Sequence, residues 1–182
     1  PIPVKYCKNI NLANKLRKLC EDQIKDETIG IKAGGTGIQA LKKLKEKEPF
    51  TAKVFKKRLV KSGQKVKINQ HTKGIEVEVY YFIKKSFFDY KGKVTKSNVT
   101  KFIKFMGTCF EIVGFRQRNK KFTYLGDICG DFGFNIKFVV GRKTKFKKLN
   151  LNNLKTSLVS KKNGVKVNGN TNIVYINPLN SL

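Results

Sequence analysis

Carboxylates that could do chemistry stand out in this sequence because acidic residues are scarce. Only 12 of its 182 residues are Asp or Glu, against 40 Lys and Arg. Glu76 and Glu78 occupy positions i and i+2 of a run rich in β-branched and aromatic residues, so both side chains point to one face of the predicted strand. Carboxylates held this close raise each other's pKa unless a cation lies between them. A hard divalent ion such as Mg²⁺ or Mn²⁺ is the natural partner for clustered carboxylate oxygens.

Glu111 is the third candidate ligand, because it interrupts the apolar run Cys109 to Val113. A carboxylate in such a strand needs a partner, since desolvating an unpaired charge is costly. Two plainer interpretations stay open from the residues alone. Glu76 and Glu78 fit a solvated strand face, and Glu111 could pair with one of many lysines.

Lys32 is a candidate proton carrier, because it lies between Gly30-Ile31 and Ala33-Gly34-Gly35. A lysine desolvated by small apolar neighbours has a lowered pKa and can move protons, although an ordinary surface lysine fits the same position. His71, the sole histidine, lies in a polar stretch without a nucleophile motif and is interpreted as a loop residue. The cysteines form no C-x-x-C pair, which predicts free thiols in a reducing cytosol: Cys7, Cys20, Cys109 and Cys129.

The elements that must position these residues are mixed helices and strands without regular βαβ alternation, so the predicted class is α+β. No apolar run approaches the roughly 18 residues of a membrane span. An irregular basic stretch is expected at 53–67, and Asn163-Gly164 predicts a hairpin. The periodicity predicts helices over 11–25, 36–44 and 94–105, and strands over 75–83, 108–113 and 136–140.

A net charge of +28 would ordinarily indicate a polyanionic partner. Only five of the 40 basic residues are Arg, however, and nucleic-acid readers favour the planar guanidinium. The chain is also rich in Lys, Asn, Ile, Phe and Tyr, which AT-rich codons encode. Genome composition therefore accounts for the lysines as well as a polyanion does.

Several segments, in their order along the chain, resemble the 2-keto-4-pentenoate hydratase and 2-oxo acid decarboxylase branch of the fumarylacetoacetase-like superfamily. The resemblance covers roughly residues 28 to 180, and no single segment is specific. The matching segments are Gly30-Ile31-Lys32-Ala33-Gly34, Glu48-Pro49, Ile75-Glu76-Val77-Glu78-Val79, Phe110-Glu111-Ile112-Val113-Gly114-Phe115-Arg116, Gly130-Asp131-Phe132, Val139-Val140-Gly141, Asn163-Gly164 and Asn177-Pro178-Leu179-Asn180.

The resemblance implies a mixed β-roll with flanking helices, of the kind found in the fumarylacetoacetase C-terminal domain. Residues 1–27 would form an N-terminal helical segment and 28–182 the catalytic domain, with the C-terminal part of that domain missing. A cytoplasmic homo-oligomer is expected on the same ground.

The resemblance also implies a metal-dependent lyase, a hydratase or decarboxylase, that acts on a small 2-oxo acid through a metal-stabilised enolate. Glu76, Glu78 and Glu111 would hold Mg²⁺ or Mn²⁺, and Lys32 would be the catalytic acid or base. Three further residues would contact the substrate: Gly34, Phe50 and Arg116. Phe50, Phe132 and Phe134 stand where the family commonly has polar residues, which disfavours activation of water. The alternative is an inactive basic relative that binds RNA or another polyanion.

Overall fold

The central element of the protein is a four-stranded sheet with the strand order β3-β6-β5-β4. A computed structural model describes residues 1–116, 122–147 and 151–174. β4 pairs with β5 and β5 with β6 in antiparallel fashion, whereas the short β3 runs parallel to β6. The four strands are β3 (Leu59–Lys61), β4 (Thr72–Ile83), β5 (Ile103–Gly114) and β6 (Asn135–Lys145).

A second, two-stranded antiparallel sheet packs with the helices. It consists of β1 (Thr28–Gly34) and β2 (Phe50–Phe55). The helices are α1 (Ile10–Asp22), α2 (Ile38–Lys43) and α3 (Leu125–Gly130). Side chains from all of these elements except β1 share one core with the N-terminal residues: Ile2, Cys7, Ala13, Leu41, Phe50, Ala52, Leu125 and Cys129. The predicted division at residue 27 therefore stays a prediction, since both sides of it contribute to this core.

The N-terminal helix forms where the sequence indicates it. Asn9 caps it by accepting a hydrogen bond from the backbone N–H of Leu12 at 3.1 Å. Arg17 and Glu21, one helical turn apart, form a buried ion pair. Arg17 also donates to the carbonyl of Thr51 at 2.5 Å, so the pair ties α1 to β2. None of the helices among the described residues is long and apolar enough to cross a membrane.

Several predicted elements are confirmed. The hairpin at Asn163-Gly164 is formed by β7 (Lys155–Val159) and β8 (Lys166–Asn170). The strands predicted at 75–83, 108–113 and 136–140 lie within β4, β5 and β6. The predicted turn at 177–180 lies outside the described residues.

Other predictions were wrong. The helix predicted over 94–105 is a short 3₁₀ turn (Val99–Phe102) that leads directly into β5. Here the aromatic and β-branched residues pair with β4 and β6, and tertiary pairing overrides an approximate helical spacing. The stretch at 53–67 is not irregular throughout, because it contains the end of β2 and all of β3. The short helix α3 was not predicted.

Candidate metal centre

The pairing of β4 with β5 brings the three candidate carboxylates together. Glu76 lies directly opposite Glu111 in the antiparallel register, and Glu78 lies opposite Cys109. Paired residues and residues two apart share a face, so all of these side chains point the same way. One oxygen from each of Glu76, Glu78 and Glu111 lies within 4.8 Å of the others. The structure thus places the three residues in one cluster, and their role as ligands remains a prediction.

Lys32 reaches this cluster from the second sheet. Its ammonium Nζ lies 2.5 Å from Oε1 of Glu111 and donates a hydrogen bond to the carbonyl of Gly133 at 3.0 Å. The side chains of this ion pair are 11 % and 3 % exposed, respectively. Lys32 is therefore not an ordinary surface lysine, and it faces the carboxylates that the sequence singled out.

Asn135 is a further member of the site that the sequence analysis missed. Its side-chain amide donates to Oε1 of Glu111 at 3.1 Å, and the residue is only 1 % exposed. One oxygen of the buried Glu111 carboxylate thus accepts two hydrogen bonds, and a buried charge needs such partners. The signal in the sequence is slight, because Asn135 is one of several polar residues on β6 and differs from the others only in standing at the start of the strand.

Burial and mutual repulsion shape the protonation of the cluster. Burial, followed by the charges of Glu111 and Glu76, raises the pKa of Glu78 to about 7. The pKa of Glu76 is also raised, first by desolvation and then by Glu111, and for both groups Lys32 acts in the opposite direction. Glu76 itself is on the open side of the cluster, since it is exposed to solvent. One ammonium therefore faces three carboxylates, and the excess negative charge favours an additional cation.

The donor set fits a hard divalent ion. An ion with ligand distances of about 2.1 to 2.6 Å spans oxygens up to about 4 to 5 Å apart, which agrees with the spacing of the cluster. Cys109, opposite Glu78 in the strand register, is not one of the grouped ligand atoms, so the cluster consists of carboxylate oxygens. The residues present therefore suit Mg²⁺ or Mn²⁺ better than a thiophilic metal.

Gly34 and Phe50, predicted to contact substrate, pack against each other. They are partners in the β1–β2 register, and a Cβ on Gly34 would lie 2.5 Å from the Phe50 ring. Phe50 is 5 % exposed. A Cβ on Gly133 would also contact this ring, at 3.4 Å. The Phe50 ring thus supports the segment whose carbonyl holds Lys32, and substrate contact remains a prediction.

Arg116, the third predicted substrate contact, is engaged with the protein itself. Its Nε donates to Oδ1 of Asp131 at 2.7 Å, and its two terminal nitrogens donate to the carbonyls of Asn135 and Asp131. Asp131 is fully buried. Arg58 reaches the same carbonyl and the side-chain oxygen of Asn135, both at 3.1 Å. The two arginines hold Asn135 in place beside Glu111.

The turn before β6 has an unusual backbone. Phe132, Gly133 and Phe134 all have left-handed φ angles, of 55°, 65° and 61°. Such angles cost a non-glycine residue on the order of 1–3 kcal/mol. The conformation directs the Gly133 carbonyl at the Lys32 ammonium, so the strain is located where the site is assembled.

Comparison with known proteins gives a consistent picture of the fold. No family model and no curated protein matches the sequence. Solved structures do match, and two of them are of 4-oxalocrotonate decarboxylase from Pseudomonas putida G7. One is complexed with magnesium and adipate (18 % identity, TM-score 0.68), and the other with calcium and acetate (17 % identity, TM-score 0.71).

Each match covers 94 % of this chain but 65 % of the other, so this chain spans about two thirds of the length of its structural neighbours. The chain therefore has the fold of 4-oxalocrotonate decarboxylase. The predicted α+β fold class is thereby confirmed.

Proposed function

We propose that this protein is a divalent-metal-dependent lyase that acts on a small 2-oxo acid. The observation that carries the proposal is the cluster of Glu76, Glu78 and Glu111 with Lys32 against it, on a fold shared with a decarboxylase. The structural neighbours were solved with magnesium or calcium and with carboxylic acids. Those ligands support a metal site and an acidic substrate here.

The three carboxylates would hold Mg²⁺ or Mn²⁺. When bound, such an ion supplies Lewis-acid stabilisation of negative charge that develops on the 2-oxo group of a substrate. The cluster opens to solvent at Glu76, which is exposed, so an anionic substrate can approach from that side. The strongly positive net charge of +28 attracts such anions to the protein.

Lys32 would carry the proton of the reaction. Its ammonium is held by Glu111 and Gly133 at the edge of the cluster, where it can donate a proton at Nζ and recover it afterwards. The Asn135 amide keeps Glu111 in position while Lys32 changes its hydrogen bonds. The remaining predicted contacts, from Gly34, Phe50 and Arg116, would act on substrate only through small rearrangements of their present packing.

The surroundings of Lys32 favour decarboxylation over hydration within this proposal. Phe50 and Phe132 are 5 % and 9 % exposed, and both belong to the apolar layer around the segment that binds Lys32. An apolar layer offers no group to orient a water molecule. It also disfavours the charged carboxylate of a substrate relative to neutral carbon dioxide. Assays for carbon dioxide release and for water addition to the same 2-oxo acid distinguish the two reactions.

The test of the metal centre is calorimetric titration of Mn²⁺ and Mg²⁺, with and without oxalate as a mimic of a chelating 2-oxo acid. We expect metal binding that tightens with oxalate in the wild type and disappears in Glu76→Ala/Glu78→Ala. The matched control is Glu48→Ala/Asp89→Ala, which removes two exposed carboxylates elsewhere and should bind as the wild type does. A folded wild type that binds neither ion would refute the proposal.

We further propose that the protein works as a homo-oligomer in a reducing cytosol. The four cysteines are present as thiols rather than disulfides, and three of them are buried, which supports a reducing compartment. Light scattering coupled to size exclusion tests the oligomeric state, and a monomer at working concentration would contradict it.

A further inference from the structure

One end of the central sheet carries a concentration of basic residues that the proposed reaction does not use. The segments 84–104 and 142–147 contain eleven Lys and Arg and a single acid, Asp89. They come together at the end of β4, the start of β5 and the end of β6. The backbone N–H of Lys84 donates to Phe102 at 2.7 Å, and that of Phe146 donates to Lys104 at 3.2 Å. We call this region the basic end.

Within the described parts of the chain, no ion pair neutralises a lysine of the basic end. Elsewhere, Lys53 and Lys56 form ion pairs with Asp22 and Glu27, each at 2.6 Å. Among the residues that the structure describes, the ion pairs all lie away from the basic end. The positive charge there is therefore available to an external anion, and lysines so close together repel one another without one.

Aromatic rings are interleaved with this charge. Phe82 is 51 % exposed and lies opposite Phe105 in the strand register, with their ring centroids 6.1 Å apart. The Lys143 ammonium lies 5.9 Å from the centre of the Phe82 ring and 5.2 Å from that of Phe105. Phe88, in the neighbouring turn, is 72 % exposed. Exposed rings flanked by ammonium groups are the combination that stacks bases and contacts phosphates in single-stranded nucleic acid.

From this juxtaposition we propose that the basic end binds single-stranded nucleic acid. Codon composition explains an abundance of Lys and Phe, but it does not explain why an exposed Phe82 ring and a half-buried Phe105 ring lie together beside the Lys143 ammonium. A duplex or a sulfated polysaccharide would use the charge but not the rings. The site is separate from the carboxylate cluster, because Phe82 lies four residues beyond Glu78, the nearer member of the cluster on β4, or about 13 Å along the strand.

The test is fluorescence anisotropy with a labelled oligouridylate of about 12 nucleotides, a length within the range that one single-strand-binding module covers. If about four phosphates are neutralised, the affinity falls with salt with a logarithmic slope of about −3. The key variant is Phe82→Leu, which keeps an apolar side chain at an exposed position but removes the ring. We expect it to weaken oligouridylate binding by about 5- to 100-fold and to leave heparin binding unchanged.

Charge is tested by a matched pair of double variants. Lys104→Ala/Lys143→Ala removes two exposed lysines of the basic end, and Lys42→Ala/Lys43→Ala removes two exposed lysines of α2. We expect only the first to weaken binding and to reduce the salt slope, by about 1. Equal effects of the two double variants, an unchanged affinity in Phe82→Leu, or no binding of oligouridylate by the wild type would each overturn the proposal. Circular dichroism of every variant verifies that it is folded.

Discussion

Replacing Glu78 with glutamine removes one of the three carboxylates that face one another across β4 and β5, while the size of the side chain is kept. In the protein without metal, burial and the charges of Glu111 and Glu76 raise the pKa of Glu78 from 4.5 to about 7. The ionised carboxylate is therefore less favourable in the folded than in the unfolded state. Glutamine imitates the neutral acid, so we expect the metal-free variant to be more stable than the wild type.

The direction of the pH dependence follows from the raised pKa. The folded protein binds the proton more tightly than the unfolded chain. The stability that this proton contributes is fully present below pH 4.5 and is lost by about pH 7. The difference between the two pKa values corresponds to about 3 kcal/mol, at about 1.4 kcal/mol for each tenfold change in proton affinity. Because Glu78 is only partly buried, solvent screens part of this electrostatic effect. At pH 8 we therefore expect the free energy of unfolding of Glu78→Gln to exceed that of the wild type by between about 1 and 3 kcal/mol.

The assay is urea unfolding of wild type and Glu78→Gln between pH 4 and pH 8, in the presence of a chelator. Plotted against pH, the free energies of unfolding of the two proteins should converge at pH 4 and diverge towards pH 8, with the variant the more stable. The matched control is Glu48→Gln, an exposed position where no such difference is expected. With Mn²⁺ in place of the chelator the order should reverse. The wild type gains about 3 kcal/mol when metal is present at a hundred times its dissociation constant, and the variant gains less.

One result would refute this reasoning directly. If Glu78→Gln is less stable than the wild type at pH 8 in chelator, the carboxylate is already compensated within the protein. The Lys32 ammonium would then neutralise the charge of more carboxylates than Glu111 alone. The excess negative charge on which the metal proposal depends would not exist.

Three further substitutions probe the supports of the site. Lys32→Met should cost about 3 kcal/mol in urea unfolding, since it leaves a buried carboxylate without its ion partner; stability equal to wild type would show that the pair is not needed. Arg116→Ala should cost a similar amount, about 3 kcal/mol, because Asp131 is fully buried and loses its guanidinium partner, and an unchanged midpoint would contradict it. Gly126→Ala should lower the melting temperature by several degrees, because the new Cβ would lie 2.0 Å from a backbone carbonyl. The control is Gly30→Ala, which has open space around the new Cβ and should leave the melting temperature unchanged.

Features that depend on neighbours in the sequence were predictable. The spacing of Glu76 and Glu78 places both on one strand face because side chains alternate with a period of two. Asn163-Gly164 predicts its hairpin because such a pair tolerates the backbone angles of a tight turn, and Gly164 indeed has a φ of 68°. The amphipathic spacing likewise marks the first helix, which was predicted over 11–25 and spans Ile10–Asp22.

The helix predicted over 94–105 failed because its apolar residues satisfy two patterns at once. Phe102 and Ile103 fit a helical stripe, but Ile103 pairs with Ile83 across the sheet. Which pattern prevails depends on whether a partner strand is present, and the partner strand β4 ends twenty residues earlier, at Ile83. The short strand β3 is invisible for the same reason, since only its parallel pairing with β6 defines it.

The sequence by itself therefore determined the first helix, the strands around the site, the hairpin at Asn163-Gly164 and the pairing of the two carboxylates of β4, since these follow from spacing within a few residues. The tertiary structure decided what surrounds them. Lys32 meets Glu111 across 79 positions of the chain, and Asn135 completes the contact from a third strand. The pKa of about 7 at Glu78 exists only because folding excludes water from charges that are far apart in the chain. Coulomb interactions and desolvation depend on distance in space, and no pattern of residue types along the chain specifies that distance.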